Sequence, residues 1–441
     1  MTTDLTRAAA PAGTSRGAPA RSRWGLLARP EFRLLWAGES ISRLGSSVTS
    51  VALPLVAVVS LNAGPLTVGL LNGAVWLPWL LLGLPAGVWV GRLPRRPVMI
   101  CCNLASAALF ASIPVAGWLG ALTTAQLLLV ALLTGTAAVF FNAAYQAYLP
   151  ELVHRDDLIE GNAKLQGSAS AAQVAGPGVA GLTVQWCGAA AGLLVDAVTF
   201  LAASAALLLI RGDRDREPVP APVAPAPLRA QVREGLAFIL RDRFLRSFLL
   251  YGASANAALT GYQSIAVLFL VREVGVAPGA VGLLAAAGAV GGVFGAIAAR
   301  PLCRRLGTAR AVRIVLLAAT PFGLLLPAAG PGPRVALYAF GSVVLVAGVT
   351  LCNVVLGSFR QTYAPPALLS RVVATSMFAN QATIPLGAVG GGALGATFGL
   401  RATMWIMTGV LVLCGGLLLA SPLRKDRDLP AGPATEERSG R

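Results

Sequence analysis

Twelve apolar runs of about 20 residues, set apart by short polar connections, divide the chain, and they restrict its fold more than any other feature. A run of that length matches the hydrocarbon core of a bilayer crossed as a helix. Amides inside lipid can pair only with each other, so each run is predicted to be an α-helix. The runs fall at about 34–60, 67–91, 97–119, 124–147, 162–185, 188–210, 247–271, 279–299, 311–330, 335–358, 372–398 and 401–421. The composition agrees: of 441 residues, 56% are hydrophobic and 12% charged, outside the range of soluble globular domains. The expected fold class is an all-α polytopic membrane protein.

A net charge of +17 invites a search for a nucleic-acid surface, but the placement of the charge argues otherwise. Among the 35 Lys and Arg, few lie in a span or in the odd-numbered connections, Arg43, Arg272, Arg334 and Arg401 among them. Connections 61–65, 120–123 and 186–188 carry none, whereas the even ones hold Arg92, Arg95 and Arg96, then Arg155, then Arg300, Arg304, Arg305 and Arg310. That alternation is the positive-inside pattern and predicts that both termini are cytoplasmic. Residues 1–31 and 422–441 read as disordered tails, and no cleavable signal peptide is visible at the start. The six cysteines are scattered without a C-x-x-C pair and His154 is the sole histidine, so neither a metal site nor a cofactor is expected.

The spans form two sets of six. Between the sixth and seventh, residues 211–227 are charged and then Pro-rich, as in a semi-rigid linker. In the rest of the 211–245 connection, Leu228, Val232, Leu236 and Leu240 recur every four residues; an amphipathic helix on the inner membrane surface and a plain solvated helix both fit. Bundles at 32–210 and 246–421 are expected. The two sets also repeat. Pro65, Val68, Gly69, Leu70 and Leu71 recur as Pro278, Val281, Gly282, Leu283 and Leu284, and Arg92–Leu93 as Arg305–Leu306, at a shift of 213. Gly38 and Ser40 recur as Gly252 and Ser254, and Gln146, Tyr148 and Pro150 as Gln361, Tyr363 and Pro365. A six-span repeat keeps its direction, so the bundles should be related by a pseudo-two-fold axis along the membrane normal, as in alternating-access transporters.

The opening FRLLWAGESISRLGSSVTSVALPL, the stretch GLPAGVWVGRLPRRPVMI and the segment YLPELVHRDDLIEGNAKLQGSASAAQVAGPGVAG resemble the major facilitator superfamily, in particular its bacterial macrolide-efflux and enterobactin-exporter types. The resemblance runs from Phe32 to Pro422. It implies twelve helices in two six-helix bundles, with spans one, four, seven and ten around a central cavity and spans two, five, eight and eleven along the seam between halves. The family's signature loop G-x-x-x-D-R-x-G-R-R stands here as Gly87, Gly91, Arg92, Pro94, Arg95 and Arg96. Gly91 replaces the acid and Pro94 the second glycine, so the aspartate's charge relay does not carry over. Gly176, Pro177, Gly178 and Gly181 resemble the family's antiporter motif.

Glycines four apart mark one face of a helix at Gly83, Gly87 and Gly91, at Gly288 with Gly292 and Gly291 with Gly295, and at Gly387, Gly391 and Gly395. Close packing and a smooth sliding ridge both suit them. Charges inside spans are the sharpest signal, each costing about 2.5–3.5 kcal/mol near a span centre. Glu39 and Arg43 stand at i and i+4 with the acid first, the favourable order for an ion pair. Glu39 is therefore a candidate proton carrier with Arg43 as its partner, or half of a self-neutralising structural pair. Asp196 in span six is a second candidate, or a hydrogen-bonded structural acid. Phe141, Asn142, Tyr145, Gln146, Asn256, Tyr262, Gln263, Asn353, Asn380 and Gln381 are candidates for a substrate cavity of amides and rings, or for interhelical hydrogen bonds.

The expected function is secondary active export of amphipathic small molecules by proton antiport, from a monomer in the plasma membrane. Its partners are a small-molecule substrate, protons and the bilayer, with no nucleic acid. Neither Lys164 nor Lys425 follows a glycine-rich turn, so ATP is not the expected fuel. Import or narrow export of a metabolite is the alternative. A membrane enzyme should show a cluster of ionisable groups near one membrane face, and a receptor has no need of the repeat.

Overall fold

The computed structural model describes residues 25–154, 157–210, 236–363, 366–417 and 427–430. Every regular element among them is helical. Twelve long helices follow in order: α1 Pro30–Ser60, α2 Pro65–Val90, α3 Arg95–Trp118, α4 Thr124–Leu152, α5 Leu158–Cys187, α6 Ala189–Leu209, α7 Arg243–Arg272, α8 Pro278–Leu306, α9 Thr308–Ala319, α10 Val335–Tyr363, α11 Pro366–Phe398 and α12 Leu400–Leu417. The parts of the amphipathic-helix, last-span and tail expectations at 1–24, 211–235, 418–426 and 431–441 lie outside the described residues; 236–241 is helical.

Local chemistry sets the ends. Proline opens α1, α2 and α8, where its missing N–H would be unpaired in any case. Thr123 caps α4 by accepting from the Gln126 amide, and Asp242 caps α7 through the Phe244 and Leu245 amides. Single glycines turn α5 into α6 at Gly188 and α11 into α12 at Gly399, with φ of +83° and +86°. A side chain is strained there, and the shared device shows the repeat in the backbone. Several boundaries depart from the apolar runs. Span nine is not one regular helix: α9 ends at Ala319 and a 3₁₀ stretch covers Thr320–Leu325, because Pro321 cannot donate to an α-helical ladder. Helices also outrun their apolar segments at the arginine-bearing end, α4 to Leu152, α8 to Leu306 and α11 back to Pro366.

The ends of the molecule can be told apart by charge. One, here the basic end, holds the α2–α3 and α8–α9 connections with Arg92, Arg95, Arg304 and Arg305; the other is charge-poor. Among the described residues, nine helical segments are long and apolar enough to cross a membrane. The helices that miss that threshold include α5 and α11, which are equivalent in the repeat and rich in glycine.

Packing divides along the same axis. At the charge-poor end a single apolar core unites both halves, with Val48, Leu55 and Leu71 from the first beside Ile265, Phe269 and Val281 from the second. At the basic end there are two cores. Phe32, Met99, Tyr148 and Leu207 belong to one, wholly from the first half; Phe244, Phe248, Phe359 and Tyr363 belong to the other, wholly from the second.

Candidate functional site

The third turn of α1 carries the sharpest electrostatic feature. Arg43 Nη2 donates to Glu39 Oε1 at 2.8 Å, and the Glu39 side chain is 7% exposed while that of Arg43 is 42% exposed. The acid thus points into the first half and the base towards open space. Gly38 lets α6 come close, since a methyl there would lie 3.0 Å from the Ala206 Cβ. Glu39 borders a small cavity with Leu35, Met99, Asn103, Phe141 and Leu207. Tyr145 of α4, buried, lies within the electrostatic reach of both Glu39 and Arg43.

Asp196 is fully buried in the α1–α6 interface. Thr49 Oγ1 donates to its Oδ2 at 2.5 Å and Thr199 Oγ1 to its Oδ1 at 3.1 Å. Thr49 stands ten residues beyond Glu39, about 15 Å along the helix, so the structure does not bring the two carboxyls together. Gly45 is required beneath them: a methyl would meet Asp196 Oδ1 at 2.5 Å.

The arginines of the α2–α3 connection bind their own half. Arg95 forms an ion pair with Glu151 at the end of α4. Arg96 donates from Nε to the Leu207 carbonyl at 2.9 Å and from Nη2 to that of Leu208 at 3.1 Å, which satisfies terminal carbonyls of α6. Gly91 caps α2 in an ordinary right-handed conformation and Arg92 is exposed. Nearby, Asp157 pairs with Arg29 at 3.0 Å and Glu160 with Lys164 at 3.0 Å. Among the described residues no cluster suits a metal ion.

Two helix pairs, α2 with α11 and α5 with α8, join the halves. On α5, Gly176 abuts Ser47 of α1, while the Pro177 carbonyl, Gly178 and Gly181 face α8. Gly282 of α8 sits so close that an added methyl would be 2.5 Å from the Gly181 Cα. In the α2–α11 seam, a methyl on Gly69 would be 2.7 Å from the Ala388 carbonyl oxygen and 2.8 Å from the Gly392 Cα. Of the four-spaced glycines, Gly395 also lies in this seam, where a methyl would be 3.0 Å from the Pro65 Cβ, but most of the others lie elsewhere. Gly291 and Gly295 pack on α10, and Gly387 and Gly391 on α7, inside one half; Gly83 and Gly87 meet nothing within 4 Å. Sequence reasoning assigned no role to Gly69 and Gly282, although both stand at matching positions in the strongest repeat block.

Polar residues on α1, α4, α7 and α10 form exposed or partly exposed stripes: Arg43, Ser46 and Ser50; Asn142 and Gln146; Asn256, Thr260 and Gln263; Asn353. Phe141 stacks on Tyr145 with ring centroids 6.1 Å apart. On α11, Asn380 and Gln381 are partly exposed. Asn256 Nδ2 donates to the Asn380 carbonyl at 2.8 Å, tying α7 to α11. Tyr262 is buried in the core shared by both halves, not on the α7 stripe.

At the charge-poor end Arg272 of α7 reaches across the halves. Its Nη2 donates to Asn62 Oδ1 at 2.7 Å and to the Ala63 carbonyl at 2.9 Å. Asn62 holds φ +50°, a left-handed conformation that Asn tolerates better than most side chains. Asn72 Nδ2 adds a long bond of 3.5 Å to the Ser264 carbonyl. In sequence Arg272 was visible only as an exception to the charge pattern.

Two six-helix bundles that share a core at one end and part at the other make this a polytopic membrane protein of the transporter class. The chain belongs to the Major Facilitator Superfamily, whose profile matches residues 35–382. It is similar to the multidrug efflux pump Tap of Mycolicibacterium fortuitum, with 27% identity over 401 residues, 88% of this chain and 95% of Tap. The fold is similar to the nucleoside transporter NupG, with a TM-score of 0.74 and 14% identity over 90% of this chain and 99% of NupG. A bacterial homologue of the iron transporter ferroportin matches at TM-score 0.72 in its inward-facing state (17% identity, 89% of this chain and 98% of that one) and at 0.54 in its outward-facing state (18%, 88% and 98%). Family and fold are those of membrane transporters, which implies a small-molecule substrate and embedding in a bilayer.

Proposed function

We propose that the chain exports amphipathic small molecules from the cytoplasm across the plasma membrane in exchange for protons, as a monomer working by alternating access. The observation that carries this reading is the asymmetry of the seam: one core and the Arg272 bonds at the charge-poor end, two separate cores at the basic end. With the arginines on the cytoplasmic side, both termini are cytoplasmic and this is the inward-open state. The higher score against the inward-facing ferroportin homologue supports it.

In this state the stripes on α1, α4, α7 and α10 line the space between the halves. They offer amides and hydroxyls with one guanidinium, Arg43, which suits weakly charged substrates held by apolar area and a few hydrogen bonds. Glu39 is the proton carrier. When it is protonated, Arg43 loses its counter-charge and is free to rearrange; when the proton leaves, the ion pair re-forms. Asp196, bonded by Thr49 and Thr199, fixes α6 on α1. Likeness to Tap supports export, and the fold's likeness to NupG leaves import as the rival outcome.

The test is retention of a panel of fluorescent lipophilic compounds in pump-deficient cells, with and without the protein and with and without a protonophore. Lower retention that rises when the proton gradient collapses is expected, and Glu39→Gln should abolish the gradient-dependent part. Accumulation driven by the protein would make it an importer. An unchanged pH dependence in Glu39→Gln would remove the proton role.

A further inference from the structure

Asn103 stands in the middle of α3, within MICCNLASAALF, and is only 2% exposed. Its amide Nδ2 has no hydrogen-bond partner. A buried amide left in that condition is destabilising, so an occupant of the space beside it is called for. Asn103 lines the same small cavity as Glu39, whose other walls, Leu34, Leu35, Met99, Phe141 and Leu207, are apolar. The cavity therefore holds one carboxylate and one unpaired amide, in room for about one water.

We propose that Asn103 holds a single buried water against the Glu39 carboxylate. The Asn103 amide donates to the water oxygen, and the water donates to the carboxylate oxygen. A metal cation is disfavoured, because Arg43 already sits 2.8 Å from Glu39 Oε1 and would repel it. The charged and titratable groups facing Glu39 are Arg43 on its own helix and Tyr145 on α4. On α3, Cys102 bonds to the Phe141 backbone, and α6 contributes only Ala203 and Leu207 to the cavity. Asn103 is thus a positioning residue. Through the water it stabilises the charged form of Glu39 and gives the proton a hydrogen-bonded first step away from the ion pair. The inference rests on the reading of Glu39 as the proton carrier.

The experiment is carbodiimide labelling of Glu39 in the purified full-length protein, followed by mass spectrometry across pH, with dicyclohexylcarbodiimide as the probe. The protonated carboxyl gives its proton to the reagent's nitrogen and its oxygen adds to the central carbon, so the profile reports Glu39 without any substrate. Asn103→Leu and Asn103→Val remove the amide at two volumes, so one can decide the matter if the other fails to fold. Each is expected to extend labelling upward by about one pH unit. Asn103→Ser, which keeps a hydroxyl for the water, should stay near the wild-type profile. An unchanged profile in a folded apolar variant, or an equal shift in the serine variant, overturns the proposal. Neither result touches the proton role, which the pH dependence of transport in Glu39→Gln decides separately. No labelling of wild-type Glu39 at any pH would overturn both.

Discussion

The two ends of α2 obey the same small-residue rule and meet opposite surroundings. Near its start, Gly69 and Gly73 lie against Ala388, Val389 and Gly392 of α11, with backbone almost touching backbone; three turns on, Gly83 and Gly87 face nothing within 4 Å. The α8 seam is closed in the same way at its charge-poor start, where Gly279 and Gly282 meet Gln185 and Gly181. Glycine spacing specifies where helices are able to approach. Whether they do depends on the conformational state, and in a protein that alternates a ridge idle in one state is available to the other.

The largest effect should follow from breaking the closed end. Gly282→Leu has no room beside the Pro177 carbonyl and Gly181, so the seam must part. Transport should fall by roughly tenfold or more and the melting temperature should drop, since overpacking of this kind typically costs about 1–3 kcal/mol. An active, stable variant would show that the seam does not bear on function. Gly87→Leu sharpens the comparison from the other side. The site is empty in this state, so the melting temperature should hold while transport falls several-fold. Full activity would mean that the ridge is never used.

Arg272→Ala comes next. It removes two hydrogen bonds of a charged group between halves that a shared core also joins, a bias of about 1.5–3 kcal/mol towards the state open at the charge-poor end. Thiol labelling at that end should rise at least roughly tenfold in rate, and an unchanged rate would show that the core alone keeps it closed. The smallest effect is expected from Thr49→Val, which deletes one donor to Asp196 inside a single half. Stability should fall by about 1 kcal/mol, with the distribution between states unaltered.

The spans, the repeat and the charge asymmetry are written locally, in runs and shifts of one chain, and the structure shows the helices in those places. Boundaries were misplaced mainly at the basic end, where α8 continues to Leu306 and α11 begins at Pro366. Hydropathy marks the bilayer, and the helices continue past it. The Glu39–Arg43 pair was legible because both members lie one turn apart on one helix. Asn103 was not, since it comes to line a cavity with Glu39 only after α1 and α3 have both packed on α6, and nothing in the apolar run around it names a partner. Gly69 and Gly282 were conspicuous in the repeat, but their seam partners come from the opposite half. Arg272 needed the fold to become more than a stray charge, because Asn62 lies 210 residues away.

The central claim is that closure at one end and opening at the other are linked to the proton on Glu39. Pulsed electron-electron resonance on a cysteine-free protein tests it directly, with spin labels on the exposed sites Leu119 and Arg334 at the charge-poor end, and on Arg92 and Arg305 at the basic end. Glu39→Gln mimics the protonated acid. The account predicts that the two distances change in opposite directions between wild type and variant, one lengthening as the other shortens. Identical distance distributions at both ends, in a variant that has lost gradient-driven transport, would contradict it.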